Sequence, residues 1–205
     1  MAKLAGFRKA LASYLTEPVV RLLVRTPVTP NIITWLGFLL AMGAAALITA
    51  GHLVAAGLVV LVAGFLDIVD GALARHTKRT TRFGAVLDST LDRLSEGVLL
   101  LGILGLFLLT DEQPVLFTHL AREWSVLFIF VTLLGSVLVS YIRARAETLG
   151  VDCQVGLFTR GERVVVLVLG LWLNQIIIAL AIIAVLSFIT AGQRLLYVWQ
   201  QTKIK

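Results

Sequence analysis

Apolar runs long enough to cross a bilayer fill most of this chain, and short charged clusters divide them. Before the first run, Leu4, Phe7, Leu11 and Leu15 recur at helical spacing with Arg8 and Lys9 on the opposite side. That pattern predicts an amphipathic helix over 4–16 lying in the membrane interface. Pro18 opens a second short segment that runs to Arg25. Thr29-Pro30 is a helix start, an N-cap residue followed by proline at the first helical position. Spans are then expected at about 30–50, 53–75, 84–109 and 123–145. The last apolar stretch, 163–198, is too long for one crossing and short for two. Its polar break at Asn174-Gln175 divides it into helices of about 159–174 and 176–200. The expected fold is all-α and integral to the membrane. It has six transmembrane helices over 30–205, preceded by an interfacial amphipathic segment over 1–29.

Composition agrees. The chain has 205 residues, 59% of them hydrophobic, and a mean hydropathy of +0.95, which excludes a soluble domain of this size. Lys and Arg fall at 3–25, 75–93, 143–163 and 194–205, with Arg122 the one exception. The positive-inside rule then places both termini on the cytoplasmic side of a multi-pass protein of the cell membrane. The basic residues flank apolar spans and build no polar groove, so a sequence pI near 10.0 does not indicate nucleic acid. Cys153 is the only cysteine, which excludes an internal disulfide and a cysteine metal cluster. The first 29 residues lack the apolar core of a cleavable signal.

Four acids interrupt the pattern. Asp67 and Asp70 close the second apolar run, and Asp88 and Asp92 open the third. An ionised carboxylate costs about 2.5–3.5 kcal/mol at the centre of a membrane helix, so these need compensation. The spacings i,i+3 and i,i+4 put each pair on one helix face. Oxygen ligands converging from two helices suit Mg²⁺ or Mn²⁺ and not zinc. Two other readings are simple pairing with Arg75, Arg82 and Arg93, or a cation pathway. Gly71 and Gly84 lie close to the acids and serve either close helix packing or room for a ligand. Arg75, Thr80, Thr81 and Arg82 add donors at the same end. Metal, arginine and hydroxyl together are a diphosphate's partners. No Ser-His-Asp or Cys-His arrangement competes. His52, His76 and His119 read as solvated or interfacial.

Asp67-x-x-Asp70-Gly71-x-x-Ala74-Arg75, then eight residues, then Gly84-x-x-x-Asp88-x-x-x-Asp92 resembles the full signature of the CDP-alcohol phosphotransferases. The resemblance implies a membrane transferase of phospholipid synthesis, usually a homodimer, that moves a phosphatidyl group from a CDP-linked lipid to an alcohol and releases CMP. It implies that Asp67, Asp70 and Asp88 hold metal, and that Asp92 is the general base and touches the metal too. It also implies that Gly71, Arg75 and Thr81 hold the CDP group, together with the segment Asn31-Ile32-Ile33-Thr34.

For the acceptor, Arg143 and Arg145 end the fourth span, Arg160 and Arg163 open the fifth, and Arg194 lies near the inner end of the sixth. They read either as topology charges with anionic lipid or as a pocket for a phosphorylated acceptor, for which the guanidinium fork is suited. The stretches 140–147, 160–163, 193–195 and 82–93 resemble the bacterial phosphatidylinositol phosphate synthases within this family. That resemblance implies inositol phosphate as acceptor, with its phosphate on Arg143, Arg163 and Arg194, and a CDP-diacylglycerol-type lipid as donor. This chain departs in having Arg143 for the more usual lysine, and Gly161 where some relatives have proline. An archaetidylinositol phosphate synthase shares the acceptor logic. A phosphatidylglycerophosphate synthase would have Asp-Pro where this chain has Asp88-Ser89. A non-enzymatic cation-binding protein is the distant alternative.

Overall fold

The computed structural model describes residues 14, 16–78, 80–109, 121–153 and 155–203, the side chains of 121–123 excepted. Most of the expected interfacial helix over 4–16 lies outside the described residues, as do the 110–120 connection and the Arg122 side chain. Residues 16–23 are helical. Six longer helices follow: α1 (Pro30–Thr49), α2 (Leu53–His76), α3 (Arg82–Leu109), α4 (Ala121–Thr148), α5 (Arg160–Trp172) and α6 (Ile176–Lys203). No strand occurs among the described residues.

The helix boundaries follow local chemistry. Thr29 is extended at φ −95° and Pro30 opens α1, where its missing N–H costs nothing. Asn174 takes φ 53°, a left-handed conformation that Asn tolerates, and so separates α5 from α6 at the polar break read from the sequence. Four helices are long and apolar enough to cross a membrane: α1, α2, α4 from Trp124 onward, and α6. The protein is therefore membrane-embedded and all-helical among its described residues. Length and composition carry four crossings, two fewer than the sequence reading. The two missing helices fail for different reasons. Residues 82–96 of α3 carry Arg82, Asp88, Asp92, Arg93 and Glu96. α5 has only 13 residues, about 20 Å against a hydrocarbon core of about 30 Å.

α1 packs against α2 and α3, and α4 packs against α6. Contacts of α2 with α5, α5 with α6 and α3 with α4 join these two sets. Between them Ile48, Ile103, Phe107, Leu171 and Leu180 are almost fully buried. A Cβ on Gly102 would lie 2.6 Å from the Ala45 carbonyl oxygen, so only glycine lets α1 and α3 approach this closely. The segment over 16–23 is anchored by Val20, which packs with Ile33, Val69 and Leu73 near the acid-bearing end of α2.

Candidate active site

α2 and α3 are joined by the short turn over 77–81 and both pack against α1, so the last third of one and the first third of the other face a common space. That geometry gathers the acids. One carboxylate oxygen from each of Asp67, Asp70 and Asp88 lies within 4.8 Å of the others. Thr34 on α1 donates to Asp70 Oδ2 at 2.6 Å and fixes its orientation. Among the described residues neither Asp70 nor Asp88 is ion-paired with Lys or Arg. Simple charge pairing therefore does not account for the cluster. Three converging hard oxygens, one oriented by a hydroxyl, fit a divalent cation of the Mg²⁺ or Mn²⁺ kind.

Asp92 stands outside this triad. Arg160 of α5 bonds Asp67 with the same terminal nitrogen that lies 2.6 Å from Asp92 Oδ1. Arg160 is thus the joint between the acid pair and the second half of the chain. α5 can present it there because Glu162 accepts from the Thr159 N–H at 2.7 Å and from the Thr159 hydroxyl, tying down the first turn.

Two cavities open on either side of the acids. The first, of about 160 Å³, is lined by Asn31, Thr34, Asp70, Gly71, Arg75, Thr80, Thr81, Gly84 and Asp88. A Cβ on Gly84 would come within 2.9 Å of Thr81 Oγ1 and 3.2 Å of Asn31 Oδ1, and one on Gly71 within 3.3 Å of an Arg75 terminal nitrogen. The glycines therefore keep these polar groups close and the space open. The segment 31–34 does not act as a unit. Asn31 and Thr34 line the cavity, Ile33 is buried against the Val69 and Leu73 cluster, and Ile32 is exposed. Successive helical residues point about 100° apart, so only the i,i+3 pair can share that face.

The second cavity, of about 430 Å³, is lined by Asp67, Asp92, Arg93, Glu96, Ser140, Arg143, Thr159, Arg160, Arg163 and Arg194. Arg163 is 5% exposed and its Nε donates to Glu96 Oε1 at 2.7 Å. Arg194 donates to the Val155 carbonyl at 2.9 Å and the Val139 carbonyl at 2.5 Å, locking α6 to α4 and to the loop before α5. Arg143 pairs with Glu147 at 2.9 Å on the exposed side. Arg145, expected in the same pocket, is exposed on α4 and does not line the cavity. Two features escaped the sequence reading. Arg160 reads as one more pocket charge until α5 is seen against α2. Glu96 continues the Asp88, Asp92 stripe by one turn, a spacing visible in the sequence.

Residues 27–198 match the CDP-alcohol phosphatidyltransferase family. The archaetidylinositol phosphate synthase of Methanothermobacter thermautotrophicus is 36% identical over 91% of this chain and 94% of that protein. The crystal structure of Mycobacterium tuberculosis phosphatidylinositol phosphate synthase with CDP-DAG bound is similar at a TM-score of 0.76 and 34% identity, over 91% of this chain and 94% of that one. The same enzyme in complex with manganese and citrate is also similar, at 0.76 and 34%, over 90% and 88%.

Proposed function

The chain belongs to the CDP-alcohol phosphatidyltransferase family and is a transferase of phospholipid synthesis, and from that premise we propose that it moves a phosphatidyl-type group from a CDP-linked lipid to inositol phosphate. The products are CMP and phosphatidylinositol phosphate. The observation that carries this reading is the pair of cavities that flank one set of acids, Asp70 and Asp88 lining one and Asp67 and Asp92 the other. A polar cleft with Arg75 and Thr81 lies on one side, and an arginine-lined cavity on the other. Relatives and solved neighbours named for inositol phosphate lipids support the acceptor.

In this assignment Asp67, Asp70 and Asp88 hold Mg²⁺ or Mn²⁺, which when bound neutralises diphosphate charge and makes CMP an adequate leaving group. Asn31, Thr34, Gly71, Arg75 and Thr81 seat the CDP group. Arg163 and Arg194, with Arg143 at the rim, seat the acceptor phosphate. Asp92 faces the acceptor cavity and takes the hydroxyl proton as the acceptor oxygen bonds the lipid-bearing phosphorus. The phosphorus–oxygen bond to CMP then breaks. Arg160 keeps Asp92 and Asp67 in register across the reaction line. These parts supply charge neutralisation and alignment, which is what phosphoryl transfer asks of a protein.

The proposal extends to topology. The charged end of α3 and the start of α5 lie beside the acids, so α3 and the shorter α5 are assigned as the two further crossings beside longer neighbours. This supports six crossings with the site and both termini cytoplasmic in the plasma membrane. The family resemblance adds a homodimer. In the same proposal residues 1–29 are the interfacial segment and 30–205 the catalytic membrane unit. The test is release of CMP from CDP-diacylglycerol by the purified protein, with inositol phosphate, glycerol 3-phosphate or no acceptor. Inositol phosphate-dependent release is expected. Faster release with glycerol 3-phosphate would overturn the acceptor. An archaeal ether CDP-lipid as donor decides which tail the enzyme takes, since an archaetidyl enzyme is among the similar proteins.

A further inference from the structure

A cavity built only to capture a phosphate dianion has no use for a third acid on its wall. Glu96 is such an acid. It lines the arginine cavity beyond Asp92, its side chain is 17% exposed, and it engages buried Arg163 through Oε1. It also borders a second, smaller cavity of about 40 Å³ beside Thr132, Ser136 and Arg163. A terminal nitrogen of Arg163 is buried with no hydrogen-bond partner among the described residues. The pair is therefore only partly satisfied within the protein, and it lines the larger cavity.

A carboxylate beside Arg163 weakens the attraction of that guanidinium for a bare phosphate. The arrangement becomes favourable when the ligand brings hydroxyl donors along with its phosphate, because an ionised carboxylate accepts such bonds strongly. A polyol phosphate has both parts. We propose that Glu96 is a specificity-determining residue for the acceptor: it holds Arg163 by Nε and accepts a hydrogen bond from a ring hydroxyl of the polyol phosphate. The proposal rests on the inositol phosphate reading and names the group that selects this acceptor over a phosphate poor in hydroxyls. A site built around a substrate hydroxyl rejects the analogue lacking it, since its own polar group is then left unpaired.

The experiment compares the wild-type protein with Glu96→Gln at saturating CDP-diacylglycerol. The acceptors are inositol phosphate and a set of analogues each lacking one ring hydroxyl. Gln still accepts from Arg163 but removes the charge that offsets this buried guanidinium, so the melting temperature should fall, and the KM for the CDP-lipid is the folding control that should not move. For the wild type, kcat/KM should fall about tenfold or more with one of the analogues. Glu96→Gln should lose a similar factor with the full acceptor and distinguish that analogue by less than about twofold, the signature of a direct coupling. An equal loss for every acceptor would mean that Glu96 only holds Arg163, and the proposal fails. No loss in the variant would make Glu96 a bystander, and the proposal fails again. A wild-type protein that does not turn over inositol phosphate overturns the underlying acceptor reading, and this is read before any variant is made.

Discussion

Asp67, Asp70 and Asp88 crowd together on two helices joined by one short turn, whereas Arg143, Arg160, Arg163 and Arg194 arrive from α4, α5 and α6. The two walls of the site are also held differently. Each arginine is anchored within the protein: Arg160 to Asp67 and Asp92, Arg163 to Glu96, Arg194 to two carbonyls, and Arg143 to Glu147. In the acid triad only Asp67 has a basic partner, Arg160, while Asp70 and Asp88 face like charge. One wall is pre-organised, so an anion entering it costs little reordering. The other leaves Asp70 and Asp88 with no basic partner among the described residues, a partner that a divalent cation would supply.

The largest effects should come from the acid wall. Asp67→Asn, Asp70→Asn or Asp88→Asn should lower transfer by about a thousandfold or more, measured as CMP release. EDTA should do the same to the wild type, and Mn²⁺ or Mg²⁺ should restore it. The comparison adds a second readout. Removing one carboxylate relieves repulsion, so Asp70→Asn in EDTA should melt at or above the wild-type temperature, while losing the stabilisation that metal gives the wild type. A variant that melts lower would show the acids to be structural. Asp92→Asn should bind CDP-lipid normally yet turn over about a hundred- to ten-thousandfold more slowly, the range for a lost general base. Turnover within tenfold of wild type would remove Asp92 from that role.

The arginine wall should respond through the acceptor. Arg163→Ala and Arg194→Ala should each raise the KM for inositol phosphate by about ten- to a hundredfold, the worth of one charged hydrogen-bonding partner. The KM for the CDP-lipid should change little, because that cavity is lined by other residues. The two variants should part in stability. Arg194→Ala leaves the Val139 and Val155 carbonyls without their donor and should melt lower than Arg163→Ala, which leaves a carboxylate beside open cavity. Equal losses for both substrates would mean that the walls are one cooperative unit and the contrast drawn above is wrong.

The same contrast explains what the sequence made legible. The acids sit at i,i+3 and i,i+4 within a single helix–turn–helix, so helical periodicity alone puts them on shared faces. The Asn174 break was legible because two polar residues interrupt a long apolar run. The arginines were legible as charge but not as geometry, since Arg160, Arg163 and Arg194 depend on partners far away in the chain and only Arg143 pairs within its own helix. Arg160 looked like a phosphate ligand, and its bonds to Asp67 and Asp92 needed the α2–α5 contact to appear. Ile32 and Ile33 came with a four-residue tract, of which helix geometry could give only Asn31 and Thr34 to the cleft. Crossing number was obscured by α3, whose membrane end is apolar and whose other end is part of the site.

The smallest predicted effect tests whether the arginine wall is a fitted pocket or a diffuse positive field. Arg143 and Arg145 are two residues apart on α4, so their side chains leave the helix about 200° apart. Arg143 lines the cavity, and Arg145 is exposed and does not. Both carry the same charge at almost the same level of the membrane, so a long-range field would value them alike. A fitted pocket would not. Arg145→Ala should change kcat/KM for inositol phosphate by less than about twofold, as expected for a screened surface charge. Arg143→Ala should lower it by about three- to tenfold, less than Arg163→Ala because Arg143 is half exposed and already shared with Glu147. Raising the salt concentration should shrink the Arg145 effect to nothing and leave most of the Arg143 effect. Equal, salt-sensitive losses for the two would reduce the arginine wall to a topology charge with no shape, and the acceptor would then have to be recognised elsewhere.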